Sequence, residues 1–194
     1  MDSIGLSKNN EKFIKNKKQD DPNYFEKLRK GQTPEFFVLA CSDSRVSPSV
    51  ITQMPLGEMF IHRNIANQVN ANDESFSTSL YYALVHLKVK KIIIKGHTDC
   101  GGVNAAWNNV DDVELGGWLG KIRAELPNRD DNGDLSLDEL SKENLLNQIK
   151  NVKQHPIYLE YGHSVEILGA LFHVESGEIE WVSLNEKESL TVSK

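Results

Sequence analysis

The sequence predicts an α/β fold with a mainly parallel central sheet of about four strands, an antiparallel fifth strand, helices on both faces and an N-terminal helical arm. Two apolar runs of strand length, Phe36–Cys41 and Ile92–Ile94, each lead into a cluster of reactive side chains. Segments with helical apolar spacing, such as Ser75–Leu87 and Leu137–Gln154, separate the strands. This alternation of buried strands and amphipathic helices is typical of α/β proteins.

Length and composition favour a single domain over residues 1–194, in which residues 1–30 form the arm. The formal net charge of -6 argues against a nucleic-acid partner or an anionic membrane. No apolar run has the length of a membrane span, and the Lys- and Asn-rich N-terminus does not resemble a secretory signal. Both cysteines, the only two in the chain, fall in the site described below, so we expect a reduced, cytoplasmic protein.

The N-terminal part predicts the first elements in this order. Two short helical pieces lie between Asn9 and Lys30 and are broken near Asp21–Pro22. The first strand follows, and after it Ser47 is expected to cap a short helix whose first residue is Pro48. Met59–His62 reads as a second strand that delivers Arg63 and Asn64 to the same edge as the end of the first.

The rest of the chain continues the pattern. The helix at Ser75–Leu87 has one apolar face, with Phe76, Leu80, Leu84 and Leu87 at helical spacing. The later elements are a strand at Ile92–Ile94, helices from Gly101–Gly102 toward Trp107, at Gly117–Glu125 and at Leu137–Gln154, and two antiparallel strands at Ser164–Phe172 and Ile179–Val182.

Reactive side chains follow the first and third strands. Cys41, Asp43 and Arg45 stand at alternate positions after the first, and His97 and Cys100 lie within GHTDCGG after the third. The carboxyl ends of adjacent parallel strands meet at one edge of a sheet, so these groups should share a site. Two cysteines and one histidine suit Zn²⁺ and leave its fourth tetrahedral position open, which is the mark of a catalytic zinc.

Three segments carry a resemblance to a known family: ACSDSRV (40–46), GEMFIHRNIAN (57–67) and GHTDCGG (96–102). Together they resemble the β-class carbonic anhydrases, in particular the plant-like branch. The resemblance implies one zinc per chain, held by Cys41, His97 and Cys100. It also implies a catalytic dyad of Asp43 and Arg45, and reversible hydration of CO2 to bicarbonate and a proton by attack of zinc-bound hydroxide.

The same resemblance implies a substrate cleft. Gln32, Phe60 and Tyr82 match its lining residues, some of which the family donates across a dimer interface, so we expect a homodimer or higher even oligomer. Gln32 and the Gly101 amide would position the oxygens of CO2 or bicarbonate, and Ile65 would complete the apolar wall. Tyr82 and His86, four residues apart on a predicted helix, are expected to pass the product proton to buffer.

Two other functions remain open at this point. Relatives on this fold hydrolyse CS2 or COS with the same ligands, which is a second enzymatic hypothesis. A non-catalytic, zinc-stabilised binding module is the third, although an intact Asp43–Arg45 pair and an open zinc position argue against it.

The acidic segment 128–139 is a separate candidate metal site. It places oxygen-bearing side chains at positions one, three, five and twelve and Gly133 at position six, as an EF-hand loop does. Asn128 replaces the usual first Asp and Pro127 interrupts the incoming helix, so calcium there is the weaker hypothesis. The simpler interpretation is a surface loop that caps the next helix.

Overall fold

The computed structural model describes residues 3–129, 135–182 and 184. The chain forms two compact units, Met1–Gln32 and Thr33–Lys194. Within the part of the chain that is described, no helix is long and apolar enough to cross a membrane. That residues 1–194 act as one functional domain stays a prediction.

The N-terminal unit consists of two helices, α1 (Ser3–Asp20) and α2 (Tyr24–Arg29). The predicted break at Asp21–Pro22 is confirmed, and Asp21 stabilises it by accepting hydrogen bonds from Asn23 N at 3.0 Å and Lys27 Nζ at 2.6 Å. The expectation of two short pieces was wrong for the first, which is one helix of 18 residues. Residues 3–18 contain no proline and many good helix formers, so the helix propagates through the single glycine.

The second unit is built on a five-stranded sheet with the order β2-β1-β3-β4-β5. The pairs β1–β2, β1–β3 and β3–β4 are parallel, and β4–β5 is antiparallel, which confirms the predicted fold class. The second and third strands extend further than predicted, to Asn64 and His97. The strands are β1 (Phe36–Cys41), β2 (Met59–Asn64), β3 (Lys91–His97), β4 (Glu166–Phe172) and β5 (Ile179–Val182).

Helices pack around this sheet. Those of the second unit are α3 (Pro48–Ile51), α4 (Glu74–Tyr81), α5 (Gly101–Trp107), α6 (Gly116–Glu125) and α7 (Leu137–Gln154), with a 3-10 turn at Ile65–Asn67 and π-helical turns at Tyr82–Leu87 and Tyr158–Gly162. Ser47 and Pro48 occupy the predicted cap and first helical positions, but Ser47 makes no side-chain cap bond. The helix predicted at Ser75–Leu87 is α-helical only to Tyr81 and then widens to a π-helix.

The main core lies between one sheet face and helices α4 and α7. Phe37 and Ile92 pack there with Phe76 of α4 and with Leu145 and Ile149 of α7. The predicted apolar faces of both helices are therefore inward, except that Leu87 is only partly buried. Fully burying a side chain of this size stabilises the fold by roughly 1.5–3 kcal/mol, so this core supports a rigid edge for the site.

Strand register decides which residues meet at the carboxyl edge of the sheet. Ala40 of β1 lies opposite Lys95 of β3, and Cys41 lies opposite Asn64 of β2. The end of β1 is therefore level with Gly96 and His97 on the neighbouring strand. The two ligand-bearing segments predicted to share an edge do so.

Candidate active site

Three potential metal ligands form a buried cluster at this edge. Cys41 ends β1, His97 ends β3, and Cys100 occupies the N-cap position of α5. One ligand atom from each residue lies within 4.8 Å of the other two. Among the described residues, no other group of three His, Cys, Asp or Glu side chains comes together in this way.

The imidazole of His97 is oriented for a metal. Its Nδ1 lies 2.7 Å from the carbonyl oxygen of Thr98, so Nδ1 carries the proton and donates it. The other ring nitrogen, Nε2, is therefore an unprotonated acceptor, and it is buried without any hydrogen-bond partner. A buried acceptor without a donor is costly, and a cation beside the two sulfurs would satisfy it.

The two thiols lie in different surroundings, and only those of Cys41 favour a thiolate. Cys41 Sγ accepts hydrogen bonds from Ala66 N at 3.4 Å and Asp43 N at 3.5 Å. The pKa of Cys41 is lowered, first by its hydrogen bond with Cys100 and then by His97 and these amides, whereas the pKa of Cys100 is raised by the same pairing and by burial. The opposite directions reflect one proton shared between two sulfurs, and a bound cation would displace it.

The donor set fits zinc. Zn–S bonds of about 2.3 Å and Zn–N bonds of about 2.0 Å, in a tetrahedron, bring donor atoms to within about 3.5–4 Å of one another. The cluster spans at most 4.8 Å and therefore needs only small side-chain adjustments. Two sulfurs and one nitrogen are zinc donors, and three protein ligands leave the fourth position for a small molecule.

Asp43 and Arg45 form a fork beside the cluster. Asp43 Oδ1 accepts from Arg45 N at 2.8 Å and Nε at 3.0 Å, and Oδ2 accepts from Nη2 at 2.7 Å. These hydrogen bonds lower the pKa of Asp43 to about 2 and raise that of Arg45. Asp43 is thus ionised at any physiological pH and can only accept hydrogen bonds.

A second carboxylate, which the sequence did not reveal, also holds Arg45. Arg45 Nη1 donates to Asp99 Oδ2 at 2.9 Å, and Nη2 donates to Asp99 O at 3.1 Å. Asp99 reaches this place because its backbone is left-handed, with φ of 52°. Its amide in turn donates to Asp138 Oδ1 at 3.2 Å. No local pattern in the sequence marks such a contact, since it depends on the path of the loop between two ligands.

Two cationic side chains, Arg63 and Lys95, donate hydrogen bonds to backbone carbonyls in or next to the dyad loop, residues 42–47. Arg63 donates through Nε to Cys41 O at 2.9 Å and through Nη2 to Asp43 O at 2.6 Å. Lys95 is 3% exposed, donates to Val46 O at 3.3 Å and places its ammonium 4.8 Å from the ring centre of Phe172. Burial, and then the charge of Arg63, lower the pKa of Lys95 to about 8. The sequence does contain a signal for Lys95, because a lysine within the apolar run of a buried strand is unusual.

Gly101, Gly102 and Ile65 border the cluster. A Cβ on Gly102 would lie 2.6 Å from Ile65 Cγ2, so glycine is required for this close approach. A Cβ on Gly101 would meet nothing within 4 Å, so no close contact requires glycine at that position. Ile65 is 39% exposed, and its carbonyl oxygen accepts a hydrogen bond of 3.1 Å from Trp118 Nε1.

Phe60 and Tyr82, two other residues predicted to line the cleft, belong to an aromatic group that includes His86. The ring of Tyr82 lies 5.7 Å from that of Phe60 and 5.1 Å from that of His86, which makes an aromatic row. Phe60 lies opposite Phe37 near the amino end of the edge strand β2, four residues before Asn64, so it is about 13 Å along the strand from the metal edge. Gln32 ends the N-terminal unit, and its role stays a prediction.

The calcium hypothesis for segment 128–139 is not settled, because residues 130–134 fall outside the described residues. The predicted capping role is confirmed: Ser136 Oγ accepts from Glu139 N at 3.2 Å, and Glu139 Oε2 accepts from Ser136 N at 2.8 Å. This capping box occupies the carboxylate that an EF-hand would use at its twelfth position.

Comparison with known proteins identifies the family. The sequence profile described as "Carbonic anhydrase" matches residues 36–179, which include all three potential ligands and the dyad. The chain belongs to the carbonic anhydrase family. This confirms the resemblance drawn from the three motifs.

Individual carbonic anhydrases show the same likeness. A carbonic anhydrase of Emericella nidulans is 45% identical over 118 residues, which cover 61% of this chain and 52% of the relative, so the match spans about half of that protein. A β-carbonic anhydrase structure of Aspergillus fumigatus superposes with a TM-score of 0.85 at 33% identity, covering 95% of this chain and 91% of that one. One of Sordaria macrospora, described as tetrameric, gives 0.82 at 32% identity, covering 93% and 95%.

Proposed function

We propose that this protein is a zinc enzyme that catalyses the reversible hydration of CO2 to bicarbonate and a proton. The observation that carries the proposal is the Cys41–His97–Cys100 cluster, with its unpartnered Nε2, directly beside the ionised Asp43. Family membership supports the same reaction. Such a cluster offers one open metal position, and CO2 hydration requires only one activated water and a small substrate pocket.

The bound zinc would supply Lewis acidity, which makes water a nucleophile near neutral pH. Asp43 would accept a hydrogen bond from the attacking oxygen and so direct its lone pair toward the carbon of CO2. Arg45 keeps Asp43 ionised and prevents its rotation, because it holds both carboxylate oxygens. Asp43 therefore orients the nucleophile and does not remove a proton from it.

The remaining residues are proposed to bind substrate. The backbone amide of Gly101 is proposed to donate to a bicarbonate oxygen. The same role for the side-chain amide of Gln32 is a separate proposal that rests on the family resemblance. Ile65 supplies apolar surface beside the cluster, as a nonpolar gas requires. Phe60 and Tyr82 extend this wall when a second chain brings them near.

A stopped-flow assay of CO2 hydration on protein with measured zinc content tests the function. We expect activity well above buffer at pH 8.5, and inactivity of fully zinc-loaded protein would refute the proposal. Assays with COS and CS2 on the same sample test the alternative hydrolase. A protein that binds zinc tightly but turns over none of the three substrates would be a binding module.

We expect the active form to be at least a homodimer. In one chain Phe60 lies about 13 Å from the metal edge, so an aromatic wall at the site requires a second copy. The Sordaria macrospora relative is described as tetrameric, which supports an even oligomer. Sedimentation velocity at assay concentrations provides the measurement. A fully active monomer would contradict the proposal.

His86→Ala is expected to lower kcat in dilute buffer by roughly 10-fold or more while kcat/KM changes little. The proton leaves after bicarbonate, so its transfer does not enter kcat/KM. His86 is exposed and its ring lies 5.1 Å from that of Tyr82, which suits relay to buffer. Added imidazole should restore kcat. His163→Ala, another exposed histidine, provides the control. An unchanged kcat for His86→Ala at low buffer would mean that protons leave by another path.

A further inference from the structure

Lys95 is a buried cation that the proposed reaction does not use. It lies on β3 opposite Ala40 and Ala170, on the sheet face lined by Val38, Ile93 and other small or apolar side chains. Its relative exposure is 3%. Among the described residues, no carboxylate forms a salt bridge with Lys95 or with its neighbour Arg63. A buried ammonium without an acidic partner is costly, so its contacts need an explanation.

The contacts of Lys95 lead to the dyad loop. Its ammonium donates to Val46 O at 3.3 Å and lies 4.8 Å from the ring centre of Phe172, whose π face helps to stabilise the charge. Val46 N in turn donates to Asp43 O at 3.2 Å, and Asp43 O also accepts from Arg63 Nη2 at 2.6 Å. The two ends of the turn that carries Asp43 and Arg45 are thus held by two separate cations.

The turn needs such support because it contributes little packing of its own. Asp43 is only half-buried and Arg45 is exposed, while Val46, which is 1% exposed, is the one side chain of residues 43–46 that enters the core. Arg63 fixes the carbonyls of Cys41 and Asp43 at the start of the turn. Without Lys95, the carbonyl of Val46 at its end would lose the only side-chain donor seen among the described residues.

We propose that Lys95 is a positioning residue, whose ammonium anchors the Val46 carbonyl from inside the sheet and thereby keeps Asp43 and Arg45 aligned with the metal cluster. This rests on the proposed function for its kinetic consequences, but the anchoring itself is a property of the fold. Lys95 touches no substrate; it acts on the reaction through the position of Asp43.

Amide hydrogen exchange of the dyad loop tests the anchor without any assay of activity. Lys95→Met keeps the length and volume of the side chain and removes the donor and the charge. We expect the Val46 amide, bonded to Asp43 O, to exchange at least about 10-fold faster in Lys95→Met, in both zinc-loaded and chelated protein. Ile93→Val, two residues earlier on the same strand face, is the matched control and should leave this amide unchanged.

Kinetics of zinc-loaded protein provide the second measurement. If Lys95 positions the dyad, Lys95→Met lowers kcat/KM by about 10-fold and lowers kcat in dilute buffer less, because proton release does not involve the dyad. Simple loss of folded protein would lower both by the same factor. In a double-mutant cycle, Lys95→Met added to Asp43→Asn should cost little more than Asp43→Asn alone, since both act through one carboxylate.

The outcomes separate the anchor from the function. Unchanged exchange at Val46, or fully multiplicative effects of Lys95→Met and Asp43→Asn on kcat/KM, would overturn the proposal. Should Lys95→Met fold poorly, Lys95→Gln, which retains a shorter donor, should show intermediate exchange and kcat/KM; values equal to wild type would also overturn it. If the Val46 amide exchanges faster in Lys95→Met but the wild-type protein does not hydrate CO2, the anchoring role of Lys95 is supported and only the proposed function is refuted.

Discussion

Cys41→Ser is expected to lose its zinc and, with it, almost all CO2 hydration activity. Structural zinc sites contribute about 10–16 kcal/mol, so an equal share for each of four ligands predicts a loss of affinity of about 10²–10³-fold. Cys41 Sγ also accepts hydrogen bonds from two backbone N–H groups, those of Asp43 and Ala66. Serine oxygen is a poor thiolate substitute, so those amides would face a weaker acceptor.

Native mass spectrometry and zinc quantification after dialysis provide the measurement. Ser44→Ala, an exposed substitution in the same loop, is the control and should keep one zinc per chain. The melting temperature of Cys41→Ser should fall as well, because zinc binding stabilises the folded state. Full zinc occupancy in Cys41→Ser would contradict the ligand assignment.

Asp43→Asn is expected to keep its zinc and lose about 10²–10⁴-fold in kcat/KM. The amide has one acceptor oxygen and one donor nitrogen, so it cannot both accept from the nucleophile and satisfy the fork of Arg45. Because Arg45 lowers the pKa of Asp43 to about 2, the carboxylate is charged above that pH and loses its charge only near pH 2. The pH profile of wild-type kcat/KM between pH 5 and 9 should therefore show no titration of Asp43.

Asp99→Asn is the matched control, because it removes the same charge from the same arginine. Arg45 keeps its bonds to Asp43 through Nε and Nη2 in that variant. Asp99 is exposed, and exposed ion pairs contribute about 0.2–1 kcal/mol, so we expect a loss of at most about 5-fold. Equal losses in Asp43→Asn and Asp99→Asn would show that charge near Arg45 matters and that the position of Asp43 does not.

The predicted fold and ligand cluster could be found from the sequence because their signals are local. Continuous apolar runs ending in Cys41 and His97 mark buried parallel strands, and such strands place their carboxyl ends at one edge. Asp43 and Arg45 follow directly after the first strand, so the prediction of that strand also predicted their position at its carboxyl end. Helices with a clear apolar face, such as Leu137–Gln154, were equally readable.

Features that depend on backbone path were not readable in this way. The left-handed conformation at Ala66, with φ of 61°, is unusual for alanine, whereas aspartate adopts the one at Asp99 more readily. These conformations direct the Ala66 amide at Cys41 and the Asp99 carboxylate at Arg45. The change from α- to π-helix at Tyr82 was also missed, since the spacing of four residues to His86 suits both helix types.

The sequence alone determined the sheet, the three potential zinc ligands and the Asp43–Arg45 pair, because each follows from residue types at short, regular spacing. Tertiary structure decided the rest. It buried Nε2 of His97 without a hydrogen-bond partner and brought Asp99 to Arg45. It also placed Phe60 far from the metal edge and Lys95 within hydrogen-bonding distance of the Val46 carbonyl. These contacts join residues up to 54 positions apart, and their geometry comes from strand register and loop conformation, which no local pattern encodes.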